Sequence, residues 1–357
     1  MTSRARVVTA LRRRIPDRVP CSIQFSPAKM EEFKRRYGDI ELEEIFPIDV
    51  RYGADAVKEN TDIVKYRRYY TDELLHDPNF TISRWGIGVL KCSTYHFTKY
   101  VSPLLGKNLT DVQSYPCPLA SDFDWQGFTK EVERKHAANL AVAGVMPAHG
   151  GTIWEPSCHL RSTDALFLDM MDKSEIAVTL FDKVSASARQ LAQAMVHAGV
   201  DILLMGDDIG TQRGMIMNPD MWRTWIKPHM ASVIAAANAA NPDVLIFYHS
   251  DGNILPVIPD LIEIGVEVLN PIQPECMDPV EIAAQFGNAL SFWGTVGTQT
   301  TMPFGRSEEV KAVVRERMAT VGKVGGFLIA PTHMLEPDVP WENIEAFFEA
   351  VKIYGAY

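Results

Sequence analysis

The chain has 357 residues, of which 46% are hydrophobic and 22% charged, a composition that fits a globular protein and excludes a disordered one. Its formal net charge of −10 disfavours a nucleic-acid partner, because an acidic surface gains nothing from a phosphate backbone. No secretory segment and no apolar run of spanning length is present, so the expected location is the cytoplasm, away from the membrane.

In chain order, the basic residues between Arg4 and Arg18 read as the solvated face of a helix. Residues 19–25 read as a first strand. Residues 39–125 hold short aromatic and charged segments such as Tyr66-Arg67-Arg68-Tyr69-Tyr70, and are expected to cap one end of the fold as an insertion. From residue 141 the alternation becomes regular. A strand over 141–146 precedes a strongly amphipathic helix over 174–198. The apolar run 200–206 is followed by a helix over 219–238, with Asn218 as N-cap and Pro219 in the first position. Trp222, Ile226, Met230, Val233 and Ala237 mark its buried face. Strands at 244–248, 266–270, 290–294 and 327–330 then alternate with helices at 254–264, 278–286, 307–321 and 341–351. The strands are unbroken apolar runs, as expected of parallel strands covered on both faces. No G-x-G-x-x-G follows a strand, so a doubly wound dinucleotide fold lacks its signature. The expected fold is one (β/α)8 barrel over residues 1–357. The five cysteines, Cys21, Cys92, Cys117, Cys158 and Cys276, form no C-x-x-C pair, which argues against a disulfide framework and a structural zinc module.

In such a barrel the active site lies where the strands end. Polar residues cluster there: Asp207 and Asp208, His249 and Asp251, Gln273 with Glu275 and Cys276, and His333. His249, Asp251 and His333 make a set of three ligands of the kind catalytic zinc takes, with iron(II) an alternative for the same donors. The same residues can also be read as anchors of ordinary turns. Asp207 and Asp208 read as paired carboxylates, one holding a proton and one charged, or Asp207 as the cap of a loop ahead of Thr211. Trp154 and Glu155 are expected to line the pocket or to pack on its rim.

Taken together, five segments resemble the uroporphyrinogen decarboxylase superfamily. They are Arg14-Ile-Pro-Asp-Arg-Val-Pro20, Gly206-Asp-Asp-Ile-Gly210, His249-Ser-Asp-Gly-Asn253, Asn270-Pro-Ile-Gln-Pro274 and Glu336-Pro-Asp-Val-Pro-Trp-Glu-Asn343. The resemblance implies a (β/α)8 barrel and one of two chemistries, cofactor-free decarboxylation or corrinoid-linked methyl transfer. The decarboxylases carry Arg-Gln-Ala-Gly-Arg-Tyr after the first strand, where this chain has Ser22-Ile-Gln-Phe-Ser-Pro27. Without those guanidiniums a substrate with eight carboxylates is poorly neutralised. The zinc methyltransferases carry His-x-Cys-Gly-Asn and a cysteine after the last strand; here Asp251 and His333 take the two cysteine places.

The resemblance therefore implies a methyltransferase with zinc at His249, Asp251 and His333. Asp207, Asp208 and Glu275 become the candidate catalytic acids, and Gln24, Trp154, Glu155 and Gln273 the substrate contacts. The implied partners are a small, methoxylated methyl donor and a corrinoid carried by a separate protein, for a chain that is a monomer or homodimer. The alternatives are a decarboxylase for a tetrapyrrole or smaller acid, and a barrel that binds a ligand without turnover.

Overall fold

A computed structural model of the chain describes residues 1–53, 62–91 and 98–357. Parts of the expected insertion, and Cys92, lie outside the described residues.

Seven parallel strands form one sheet: β1 (Val50–Tyr52), β5 (Ala141–Val145), β6 (Ile202–Gly206), β7 (Leu245–His249), β8 (Val268–Asn270), β9 (Ser291–Val296) and β10 (Phe327–Pro331). Each pairs with the barrel strand before it in the chain, which is the topology of a barrel. The extended segment around Cys21 occupies the eighth place. Cys21 bridges Ile329 in parallel, the Ile329 amide donates to Pro20 O at 3.0 Å, and the Asp49 amide donates to Cys21 O at 2.9 Å. Residues 20–22 therefore join β10 to β1.

One buried carboxylate holds that seam. Asp49 accepts from Arg6 Nη1 at 2.8 Å, from Arg18 Nη1 and Nη2 at 2.7 and 2.9 Å, and from the Cys21 amide at 3.0 Å. The basic N-terminal segment is thus only in part a solvated face: Arg4, Arg13 and Arg14 are exposed, while Arg6 and Arg18 turn onto Asp49. It is the helix Ser3–Leu11, whose Val7 and Leu11 pack with the inward side chains of the barrel strands. Its arginines pair with acids around the barrel floor: Arg4 with Asp201, and Arg6 with Asp17 as well as Asp49.

Side chains alternate along each strand. Val50, Ala141, Ala143, Ile202, Leu245, Phe247, Val268, Trp293, Leu328 and Ala330 fill the interior. Val142, Leu203, Ile246, Leu269, Phe292 and Ile329 face the surrounding helices. Both parities are apolar, which explains the unbroken runs. The helix expected over 219–238 is two helices, Pro219–Trp225 and Lys227–Ala240. Pro228 lacks the N–H that would continue the ladder and clashes with the preceding turn.

The stretch 39–125 contains more than an insertion. Val50–Tyr52 is a barrel strand, and the added material follows it. That material includes an antiparallel sheet of β2 (Phe80–Ile82), β3 (Gly88–Lys91) and β4 (Thr98–Val101). It is tied to the mouth side of the barrel by Trp85 Nε1, which donates to Pro147 O at 3.0 Å, and by the Leu104 amide, which donates to Leu160 O at 2.9 Å. Among the described residues no helix is long and apolar enough to cross a membrane.

Asp49→Ala is expected to cost about 3 kcal/mol, the low end for removing one partner of a buried pair, because the arginines keep some contact with water. The fall in urea midpoint checks it; a shift within error means that the seam does not depend on this carboxylate.

Candidate functional site

The inward parity of β7 runs through Leu245 and Phe247, so it brings His249 into the mouth. The same alternation brings in Tyr52, Leu204, Asn270, Trp293 and Ala330, and all six line a cavity of about 270 Å³. A second cavity of about 670 Å³ adjoins it on the outer side, lined by Asp251, Gln273, Thr298, Glu336 and Asp338 among others. His333 and Met334 belong to both walls.

The His249 ring is oriented by a one-way chain of hydrogen bonds. Asn270 Nδ2 donates to Trp293 O at 2.7 Å. A carbonyl only accepts, so Asn270 Oδ1 is the atom that faces His249 Nδ1, at 2.5 Å. His249 Nδ1 must therefore carry the hydrogen, which turns Nε2 into the mouth, where the neutral ring offers a lone pair. Metal-binding histidines are usually held this way.

Two carboxylates face that lone pair. Asp208 Oδ1 lies 3.5 Å and Asp251 Oδ1 3.8 Å from His249 Nε2. Their loops pack backbone against backbone. Gly252 has φ +80°, and a Cβ there would collide with the backbone of Gly210. The Asp251 amide donates to Asp208 Oδ1 at 2.9 Å. One ligand atom from each of Asp208, His249 and Asp251 lies within 4.8 Å of the others. Asp251 Oδ1 is buried without a hydrogen-bond partner. Two carboxylates and a ring nitrogen so close together, with one oxygen unpartnered, make a donor set that fits a divalent cation. Oxygen-rich, it suits a harder ion than a thiolate set does. His333 stands just outside the group: its side chain is exposed and its ring centroid is 6.5 Å from that of His249. Asp208 therefore holds the place in the tight cluster that the sequence assigns to His333.

The adjacent acids separate completely. Asp207 takes the outward parity and is fully buried. Its carboxylate accepts the amides of Thr152, Ile153 and Glu155 at 3.0–3.1 Å, so it caps the helix Trp154–Arg161, whose N-cap residue Ile153 makes no side-chain cap of its own. Burial pushes the Asp207 carboxyl up to about 7, against the pull of those amides. A Cβ at Gly151 would collide with Asp207 Oδ1, which is why the loop needs glycine there. Asp207 thus caps an element of the neighbouring strand's loop and lies outside the cavity wall.

Glu155 sits on the first turn of that helix and lines the cavity. Its Oε2 accepts the Asp208 amide at 3.1 Å. Burial, with Asp207 and Asp208 adding to it, raises its carboxyl to about 8. Trp154, its neighbour, points the other way; it is 2% exposed and packs on Phe167 with ring centroids 5.0 Å apart. Its expected role as a substrate contact gives way to a core role. Gln24 is exposed on the cavity rim. Gln273 is buried and spends its Oε1 on the Gly252 amide at 2.7 Å, so it shapes the loop that carries Asp251 from the outer cavity. Glu275 does not line the inner cavity; its Oε1 accepts from Thr300 Oγ1 at 2.8 Å. Asn270, Tyr52 and Trp293 were not singled out as site residues from sequence. Strand parity, counted back from His249, is the signal that finds Asn270.

The sequence profile of the family described as Uroporphyrinogen decarboxylase (URO-D) matches residues 148–354, more than half of the chain. The chain belongs to that family. No curated protein sequence matches it significantly. Among solved structures it is similar to a methyltransferase from Methanosarcina mazei, with 18% identity, 99% of both chains covered and a TM-score of 0.73. At that identity the likeness is one of fold, and it extends over the whole barrel. A putative vitamin-B12 independent methionine synthase from Listeria monocytogenes overlaps less closely, with 14% identity, 95% of this chain and 96% of that one covered, and a TM-score of 0.42.

The two acids should part experimentally. Asp207→Ala leaves buried amides without an acceptor and is expected to cost at least about 2 kcal/mol of stability, whereas Asp208→Ala costs far less. Urea unfolding of both variants distinguishes them, and equal losses would refute the capping role.

The glycine loop has its own pH signature. His149 stacks edge-on with Tyr100 and His159, and burial, then the His159 charge, lowers its pKa from 6.5 to about 4. The unfolded chain therefore binds the proton first as pH falls. Stability from this group is complete above pH 6.5 and is lost towards pH 4. Denaturation midpoints at several pH values should show a smaller acid loss in His149→Phe than in the wild type; parallel curves exclude the effect.

Proposed function

We propose that the chain is a metal-dependent methyltransferase that takes a methyl group from a small methyl ether and passes it to a corrinoid held by a separate protein. The observation that carries this reading is the His249 lone pair facing Asp208 and Asp251 at the edge of a small apolar cavity. His249, Asp208 and Asp251 would hold zinc, with His333 beside them. The chemistry zinc supplies in such a place is Lewis-acid polarisation of an ether oxygen.

The chain's own residues supply the rest. Tyr52, Phe247, Leu204 and Trp293 bind the donor and exclude water from it. Asn270 keeps the His249 ring in one tautomer. Glu155 protonates the departing oxygen. Its Oε2 accepts the Asp208 amide, which leaves the proton to Oε1. Asp207 fixes the helix that carries Glu155, and so acts through it. Within this reading the protein works in the cytoplasm, where a soluble corrinoid carrier reaches the barrel mouth.

Decarboxylation of a tetrapyrrole has less support. Among the described residues no arginine or lysine lines either cavity, and the inner one is small for four pyrroles. A barrel that only binds predicts ligand uptake without turnover.

Zinc content and methyl transfer to a Co(I) corrinoid from a panel of methoxyarenes test the proposal. We expect one zinc per chain, lost in His249→Ala together with transfer. Glu155→Gln should retain zinc and lower the rate about 10²-fold or more. A metal-free wild type whose activity is untouched by His249→Ala would sink the reading.

A further inference from the structure

Size, shape and charge of the inner cavity narrow the donor. A cavity of roughly 150 Å³ holds benzene. The 270 Å³ here takes one substituted ring and not two. Its walls offer aromatic surface: Phe247 and Trp293 meet edge to face with centroids 5.2 Å apart, and Tyr52 lies tilted 6.4 Å from Trp293. Such faces suit another ring.

Charge decides the substituents. Among the described residues, no arginine or lysine lines the inner or the outer cavity. The acids on these walls are Glu155, Asp251, Glu336 and Asp338. Both histidines on these walls stand beside acids. His249 already faces two carboxylates, and His333 stands with Asp251 on the wall of the outer cavity. A divalent cation at the cluster is balanced by Asp208 and Asp251, with nothing left over. A carboxylate entering this cavity gives up its water and meets no guanidinium or ammonium in return.

We infer that the inner cavity takes an uncharged, single-ring methyl ether and refuses ethers that carry a carboxylate. The inference rests on the methyl-ether reading above and adds the charge of the donor.

Calorimetric titration of the zinc-loaded full chain with 2-methoxyphenol and with 2-methoxybenzoate tests it by binding alone, without turnover. The phenol is expected to bind tighter by about tenfold or more. Gln24→Arg, which places a cation on the exposed rim, should tighten 2-methoxybenzoate by a similar factor. Equal or tighter binding of the benzoate to the wild type overturns the charge inference and leaves the methyl-ether reading standing. Failure of both compounds, and of methoxybenzene, to bind overturns the methyl-ether reading and the inference with it.

Discussion

The barrel depends on one buried carboxylate. Asp49 gathers Arg6, Arg18 and the Cys21 amide into a single cluster, and those three groups come from the floor helix, the turn after it and the segment that completes the sheet. A parallel sheet left open between β10 and β1 would expose two rows of unpaired backbone. Closing it also sets the mouth. Residues 22–24 come to lie beside Ala330 and His333, and a row of strand ends becomes a ring around one cavity.

On that ring, polar chemistry is imposed on an apolar scaffold by very few contacts. The Trp293 carbonyl orients Asn270, Asn270 orients His249, and His249 presents its lone pair to Asp208 and Asp251. Each step is a single hydrogen bond with its direction fixed by what the next atom can donate or accept. The cost is concentrated in the same place: a buried oxygen of Asp251 without a partner and a carboxyl at Glu155 whose pKa burial and its acidic neighbours raise. Natural proteins accept such local penalties where they act on ligands.

Much of this was legible in the sequence. Six barrel strands announce themselves as apolar runs because both of their faces are covered. The strand Val50–Tyr52 does not, since it is three residues long and contains Arg51 amid aromatic and charged segments. The break at Pro228 was hidden by a helical period that continues across it. At the site, the strand ends identified His249 and Asp251, but adjacency misled at two points. Asp207 and Asp208 look like a pair, as do Trp154 and Glu155. In each case neighbouring residues leave the backbone in different directions, so one enters the mouth and the other enters the core. Choosing Asp208 over His333 as the third member of the tight cluster needed the packing of Gly210 on Gly252, which no spacing along the chain reveals.

Val7 and Leu11 fill the barrel's lower end. Among the described residues that end is stoppered, and the cavity is reached from the mouth. Anything bound inside must leave by the way it came, and a visitor broad enough to cover the mouth also imprisons the occupant. For such a protein entry and release share one path, and one occupant has to clear the mouth before the next can take its place.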